Sequence, residues 1–131
     1  MKKDINSIIL TRQELQIMKV IWGLGAATVK DVCEIMSQSK PVAYTTILTL
    51  MGILEDKGAL AHTRSGRAFL FRPLLSRRQA TRNVVHDVTM RFFDGNPEKL
   101  IEDVLANETL DPDQLDFVRS MLESRQENLV A

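Results

Sequence analysis

Between Thr11 and Pro73 the sequence carries three helix signals followed by a hairpin signal, an order that few small folds accommodate. Thr11-Arg12-Gln13-Glu14 is a Thr-x-x-Glu capping box, in which hydroxyl and carboxylate each satisfy a free amide at a helix start. It predicts a helix from about Arg12 to Trp22, with Leu15, Met18, Ile21 and Trp22 as its buried stripe and Gly23 and Gly25 at its end. Thr28 caps a second, shorter helix whose apolar Val29, Val32, Cys33 and Met36 recur at helical spacing, which assigns Cys33 to the core. A polar link, Ser37 to Pro41, leads to a third helix from about Ala43 to Lys57, with Ile47, Leu50, Met51 and Leu54 inward and Gly58 in the left-handed closing position. Leu60 to Arg64 and Arg67 to Pro73 then read as two strands joined through Ser65-Gly66, with an arginine on each side of the tip.

The remaining chain reads as helical throughout. Ser76 with Gln79, Asn96 with Pro97, and Asp111 with Pro112 open three helices, and Gly95 and Asn107 mark the breaks. Their apolar stripes are Val85, Val88 and Phe92; Leu100, Ile101, Val104 and Leu105; and Leu115, Val118 and Leu122. Helices of about 11 to 18 residues cannot enclose an independent core, so these stripes are expected to be completed by a second copy of the chain. The expected fold is mostly α with a small β-hairpin: a winged helix-turn-helix over residues 8–75 and a helical dimerisation region over residues 76–128. Leu100, Val104, Leu115, Val118 and Leu122 are the candidate dimer contacts.

Charge narrows the function. The 17 basic and 17 acidic residues cancel, yet from Lys57 to Arg82 there are seven basic residues and no acidic one, whereas Asn83 to Ala131 has eleven acidic against four basic. Such segregation builds a local positive field on a neutral molecule. No apolar run approaches the roughly 18 residues of a membrane span, and Met1-Lys2-Lys3-Asp4 opens no signal peptide, so a cytoplasmic chain with no membrane partner is expected. One cysteine, Cys33, rules out an internal disulfide and a four-cysteine zinc site, and no cofactor or metal is expected.

Three helices and a basic hairpin suit duplex DNA. The third helix can enter the major groove if one side packs on the first two and the other offers small polar groups. Thr45, Thr46 and Thr49 supply hydroxyls for hydrogen bonds and methyls able to touch thymine, Tyr44 can reach a phosphate, and Arg64 and Arg67 suit backbone or minor-groove contact. From Pro41 to Asp56 there is no lysine or arginine, so the Arg-to-guanine contact is absent from the reading helix and readout leans on threonine, van der Waals contact and DNA shape. A catalytic reading has little support: His62 and His86 are the only histidines, and neither has a Ser, Cys and Asp arrangement around it. The alternative is a winged-helix protein-interaction module without specific DNA binding.

The segments Glu14-Leu15-Gln16-Ile17-Met18-Lys19-Val20-Ile21-Trp22, Thr45-Thr46-Ile47-Leu48-Thr49-Leu50-Met51, Leu54-Glu55-Asp56-Lys57-Gly58-Ala59-Leu60 and Gly66-Arg67-Ala68-Phe69-Leu70-Phe71-Arg72-Pro73 closely resemble the penicillinase-repressor family, which includes the β-lactamase, methicillin-resistance and copper-responsive repressors. The likeness spans about residues 8 to 125; in the helical half it rests mainly on Arg91-Phe92-Phe93-Asp94-Gly95 and the pattern of helices. The resemblance implies a homodimeric repressor whose winged helix binds an inverted-repeat operator, with Thr46 and Thr49 at DNA-contacting positions. Ile53 stands where a basic residue often follows in the reading helix. Asp103-Val104 aligns with the Asn-Phe bond cut during induction of β-lactam-responsive members, so that cleavage chemistry is not supported by the residues present, while an inducing protease or another signal partner stays open. The copper-responsive members' cysteine-rich tail has no counterpart in Glu127-Asn128-Leu129-Val130-Ala131, so metal sensing by that route is not expected either.

Overall fold

The computed structural model describes residues 4–130, with the side chain of residue 130 left aside. After a 3₁₀ turn at Ile5–Ser7, the order is α1 (Arg12–Leu24), α2 (Val29–Ser37), α3 (Tyr44–Lys57), β1 (Leu60–Ser65), β2 (Ala68–Pro73), α4 (Arg77–Phe92), α5 (Pro97–Asn107) and α6 (Pro112–Val130). Compact packing divides the chain into two units, Met1–Asp87 and Val88–Ala131, with the division inside α4.

The capping signals at Thr11, Thr28, Ser76 and Asp111 act as the sequence implies, whereas Asn96 opens α5 with no side-chain cap bond. Thr11 and Glu14 exchange reciprocal bonds at the start of α1, with Glu14 Oε1 accepting from the Thr11 amide at 2.8 Å. Thr28 and Asp31 do the same for α2, and Ser76 and Gln79 for α4. Gly58 closes α3 at φ +90°, where a side chain would be strained.

In the first unit the core is built where α1, α2 and α3 meet, from Ile17, Met18, Ile21, Val32, Ile47, Met51 and Leu54, with Leu60 and Leu75 closing its lower edge. Two sequence expectations shift here. The buried stripe of α1 is Glu14, Ile17, Met18 and Ile21, while Leu15 and Trp22 are only half-buried. Cys33 lies at the margin, half-buried, its Sγ 3.4 Å from the Val42 carbonyl oxygen.

Glu14 reaches the core because it has a partner. Its Oε1 lies 2.7 Å from Lys57 Nζ, which ties the start of α1 to the end of α3. Burial pushes the Glu14 carboxyl up, but the Lys57 bond and charge, with the backbone and hydroxyl of Thr11, outweigh it and hold the group below its ordinary value.

The hairpin is antiparallel, in register from Leu60 opposite Pro73 to Ser65 opposite Ala68. Its two-residue turn is therefore Gly66-Arg67, one residue later than the Ser65-Gly66 expected from sequence. Gly66 has φ +63° and Arg67 does not share the positive φ, as a II′-type turn requires. Phe71 exchanges two backbone bonds with Ala27, at 2.9 and 2.8 Å, which anchors the hairpin to the α1–α2 loop. The first part of α4 belongs to this unit: Ala80 and Asn83 are buried, and Asn83 Nδ2 donates to the carbonyl oxygens of Ile5 and Ile8 at 2.8 and 3.0 Å.

The second unit is different in kind. Asp111 and Gln114 form a reciprocal cap on α6, and Pro97 occupies the first turn of α5. No described residue of α5 or α6 is buried, although both helices carry large apolar side chains.

Candidate nucleic-acid interface

Helix α3 has two faces by its spacing. Ile47, Met51 and Leu54 point into the core, and Tyr44, Thr45, Thr46 and Thr49 are exposed on the other side. Thr45, Thr46 and Thr49 line one shallow concavity together with Leu50 and Gln13. Gln13 comes from the first turn of α1, and nothing in the sequence marks it, because the interior position of a capping box carries no positional signal. Leu48 and Ile53 are also exposed on α3.

The start of α3 is unlike those of α1, α2 and α4. Its cap residue, Ala43, offers no side-chain acceptor, so the first-turn amides are not satisfied by a capping side chain. Amides of that kind, at the positive end of a helix dipole, donate well to a phosphate oxygen. Tyr44 is the first residue of the helix and is about half exposed.

The wing places its arginines differently from one another. Arg64 sits near the end of β1, and its Nε donates to the Gly66 carbonyl oxygen at 3.3 Å, which draws the guanidinium toward the turn. Arg67 is in the turn itself and exposed. Of the seven basic residues between Lys57 and Arg82, Lys57 is consumed by Glu14, and the six arginines remain exposed. The positive segment is therefore a real surface feature.

Wing and reading helix are also linked. His62 on β1 contacts Glu55 of α3 through Nδ1 and Oε1, and its ring packs on Phe69 and Phe71 with centroids 4.5 and 5.3 Å away. This fixes the base of the wing relative to the last turn of α3. The spacing of Glu55 and His62 across a helix end and a strand has no periodicity to announce it. His86 is exposed on α4.

The candidate dimer contacts are placed on α5 and α6. Leu100 and Val118 are half-buried, and Val104, Leu115 and Leu122 are 43%, 45% and 54% exposed, values too high for apolar residues in a finished core. Ile101, Leu105, Phe117 and Met121 are similarly open. Among the described residues, no group of three or more His, Cys, Asp or Glu could hold a metal ion, and no helix is long and apolar enough to cross a membrane.

Comparison with known proteins adds an independent line. The sequence matches the penicillinase repressor family over residues 10–124. It is 28% identical over 110 residues to the penicillinase repressor of Bacillus licheniformis, covering 84% of this chain and 86% of that protein. The solution structure of the DNA-binding domain of the repressor BlaI aligns with a TM-score of 0.52 at 34% identity, covering 60% of this chain and 93% of that one. The structure of hsRosR-S4 aligns with a TM-score of 0.53 over 96% of this chain and 99% of its own, and at 17% identity it speaks to the fold alone.

Proposed function

The chain belongs to the penicillinase repressor family, and on that premise we propose that it is a sequence-specific DNA-binding transcriptional repressor that occupies an inverted-repeat operator as a homodimer. The observation that carries the reading is the exposed threonine face of α3 beside a wing whose arginines have no carboxylate partner among the described residues. Both halves of a DNA contact are supplied. Thr46 and Thr49, with Thr45, read base edges in the major groove through hydroxyl and methyl groups. Tyr44 and the uncapped start of α3 take a phosphate, and Arg64 and Arg67 hold the backbone or the adjacent minor groove. Winged helix (residues 8–75) and helical region (residues 76–128) thus divide reading from assembly.

Dimerisation follows from the second unit. Two helices with no fully buried described residue leave Leu100, Val104, Leu115, Val118 and Leu122 to pack on the same residues of a second copy, as a two-fold interface requires. The same axis relates the two reading helices, so the operator is an inverted repeat with half-sites about one helical turn, or a multiple of it, apart. Repression is steric: the bound dimer excludes polymerase. The role is one of binding, not catalysis, and its setting is the cytoplasm.

The test is an anisotropy titration against DNA from upstream of its own gene, at two salt concentrations with competitor DNA. Saturable binding that resists competitor and falls steeply with salt is expected, since neutralised phosphates release counterions. Salt-insensitive binding, or equal binding to random duplex, would replace the operator reading with a protein-interaction module.

A further inference from the structure

The first unit has a second concavity, remote in sequence from the threonine face. It opens between α1 and the first turns of α4, has a volume of about 290 Å³, and is walled by Leu10, Leu15, Trp22 and Val84. That is at the small end of ligand pockets, with room for one ring and a short chain. Trp22 is a fixed wall: its Nε1 donates to the Leu75 carbonyl oxygen at 2.8 Å, so the indole presents one face.

Two cations border these apolar walls. Arg77, the first residue of α4, holds its guanidinium 5.2 Å from the centroid of the Trp22 ring, and Lys19 lies one turn before Trp22 on α1. Among the described residues neither has a carboxylate within 4.0 Å, in contrast to Lys57 with Glu14 at 2.7 Å. The N-terminal end of α4 adds positive potential of the same sign. A neutral hydrophobe would fill the walls and leave both cations without an anion, and an inorganic anion would satisfy the cations while leaving the walls wet. We propose that the α1–α4 cavity binds a small organic carboxylate with an apolar, ring-sized body, its carboxylate between Lys19 and Arg77 and its ring against Trp22.

Trp22 is the only tryptophan in the chain, so tryptophan emission, excited beyond the absorption of Tyr44, reports this cavity alone. The full-length protein is titrated with benzoate, and with benzyl alcohol and acetate as partial mimics. Benzoate should change Trp22 emission saturably, benzyl alcohol about tenfold or more weakly, and acetate not at all. Lys19→Gln should weaken benzoate by about tenfold without disturbing the indole, which Lys19 does not stack on; Arg77→Gln should do the same from a shifted baseline. Circular dichroism confirms that both variants, altered only at exposed positions, are folded. An emission insensitive to benzoate at about 10 mM, a benzyl alcohol response equal to that of benzoate, or unchanged affinity in both variants overturns the proposal. So does emission that varies with protein concentration and not with benzoate, which would mean that a second copy covers the cavity. The readout needs no DNA, so it stands or falls apart from the operator reading.

Discussion

Replacing Lys57 with methionine keeps the apolar stem of the side chain and removes the ammonium, and with it the buried bond to Glu14 and a longer one, 3.4 Å, to the Ile9 carbonyl oxygen. The Glu14 side chain is 3% exposed and that of Lys57 21%, with 2.7 Å between the charged atoms. Stripping one partner from a fully buried pair costs about 3–5 kcal/mol, because the remaining charge is left without compensation. Water reaches one end of Lys57, so about 2–4 kcal/mol is expected here. Urea unfolding at pH 7 and fixed protein concentration measures it, the fixed concentration being needed because dimerisation couples to stability.

The pH dependence gives the same test a sign. In the parent protein the folded Glu14 carboxyl lies below its ordinary value of 4.5, so its stabilisation is complete above that value and is lost as pH falls through the folded one. Without Lys57 the largest single effect, burial, acts with less opposition and raises the carboxyl relative to the parent. The gap between parent and Lys57→Met should therefore narrow as pH falls from 7 toward the carboxylate range. Adding Glu14→Gln, which keeps the capping bond, should recover most of the loss. A loss below about 1 kcal/mol at pH 7, or one that stays constant as pH falls, would refute the reasoning.

The other predictions concern the interfaces. Thr46→Ala and Thr49→Ala should each cost about 1–3 kcal/mol at particular base pairs, measured against operator variants, and equal weakening on random DNA would count against base reading. Arg64→Ala and Arg67→Ala should weaken binding to all sequences and lower the salt slope by about one unit per phosphate lost; an unchanged slope would take the wing off the backbone. Leu115→Glu or Leu122→Glu should give monomers by sedimentation with sharply weaker operator binding, and a variant that stays dimeric would move the interface elsewhere.

How far the sequence could be read depended on whether a feature was local. Capping boxes at Thr11, Thr28 and Ser76 involve residues three apart, so their side chains and the helices they open were readable directly. The inward face of α1 was misjudged by one position, since a search for apolar residues starts the stripe at Leu15, while the real stripe begins at Glu14. Lys57, 43 residues away, makes a carboxylate tolerable there together with the Thr11 amide, and no spacing rule reaches as far as Lys57. The hairpin turn moved from Ser65-Gly66 to Gly66-Arg67 because one glycine suits either register, and strand pairing with Phe71 anchored on Ala27 decides between them. On the interface, exposure of Thr45, Thr46 and Thr49 followed from helical period. Gln13 beside them, the clasp of His62 on Glu55, and the Arg77 stack over Trp22 arise from tertiary packing alone.

In the proposed dimer, two copies of α3 read a two-fold symmetric site. Hydroxyl-radical footprinting on a fragment selected by the titration tests this arrangement most directly. Two protected half-sites of inverted sequence are expected, centred a whole number of helical turns apart, at a stoichiometry of two chains per site. A single asymmetric footprint, or protection by one chain per site, would contradict this arrangement.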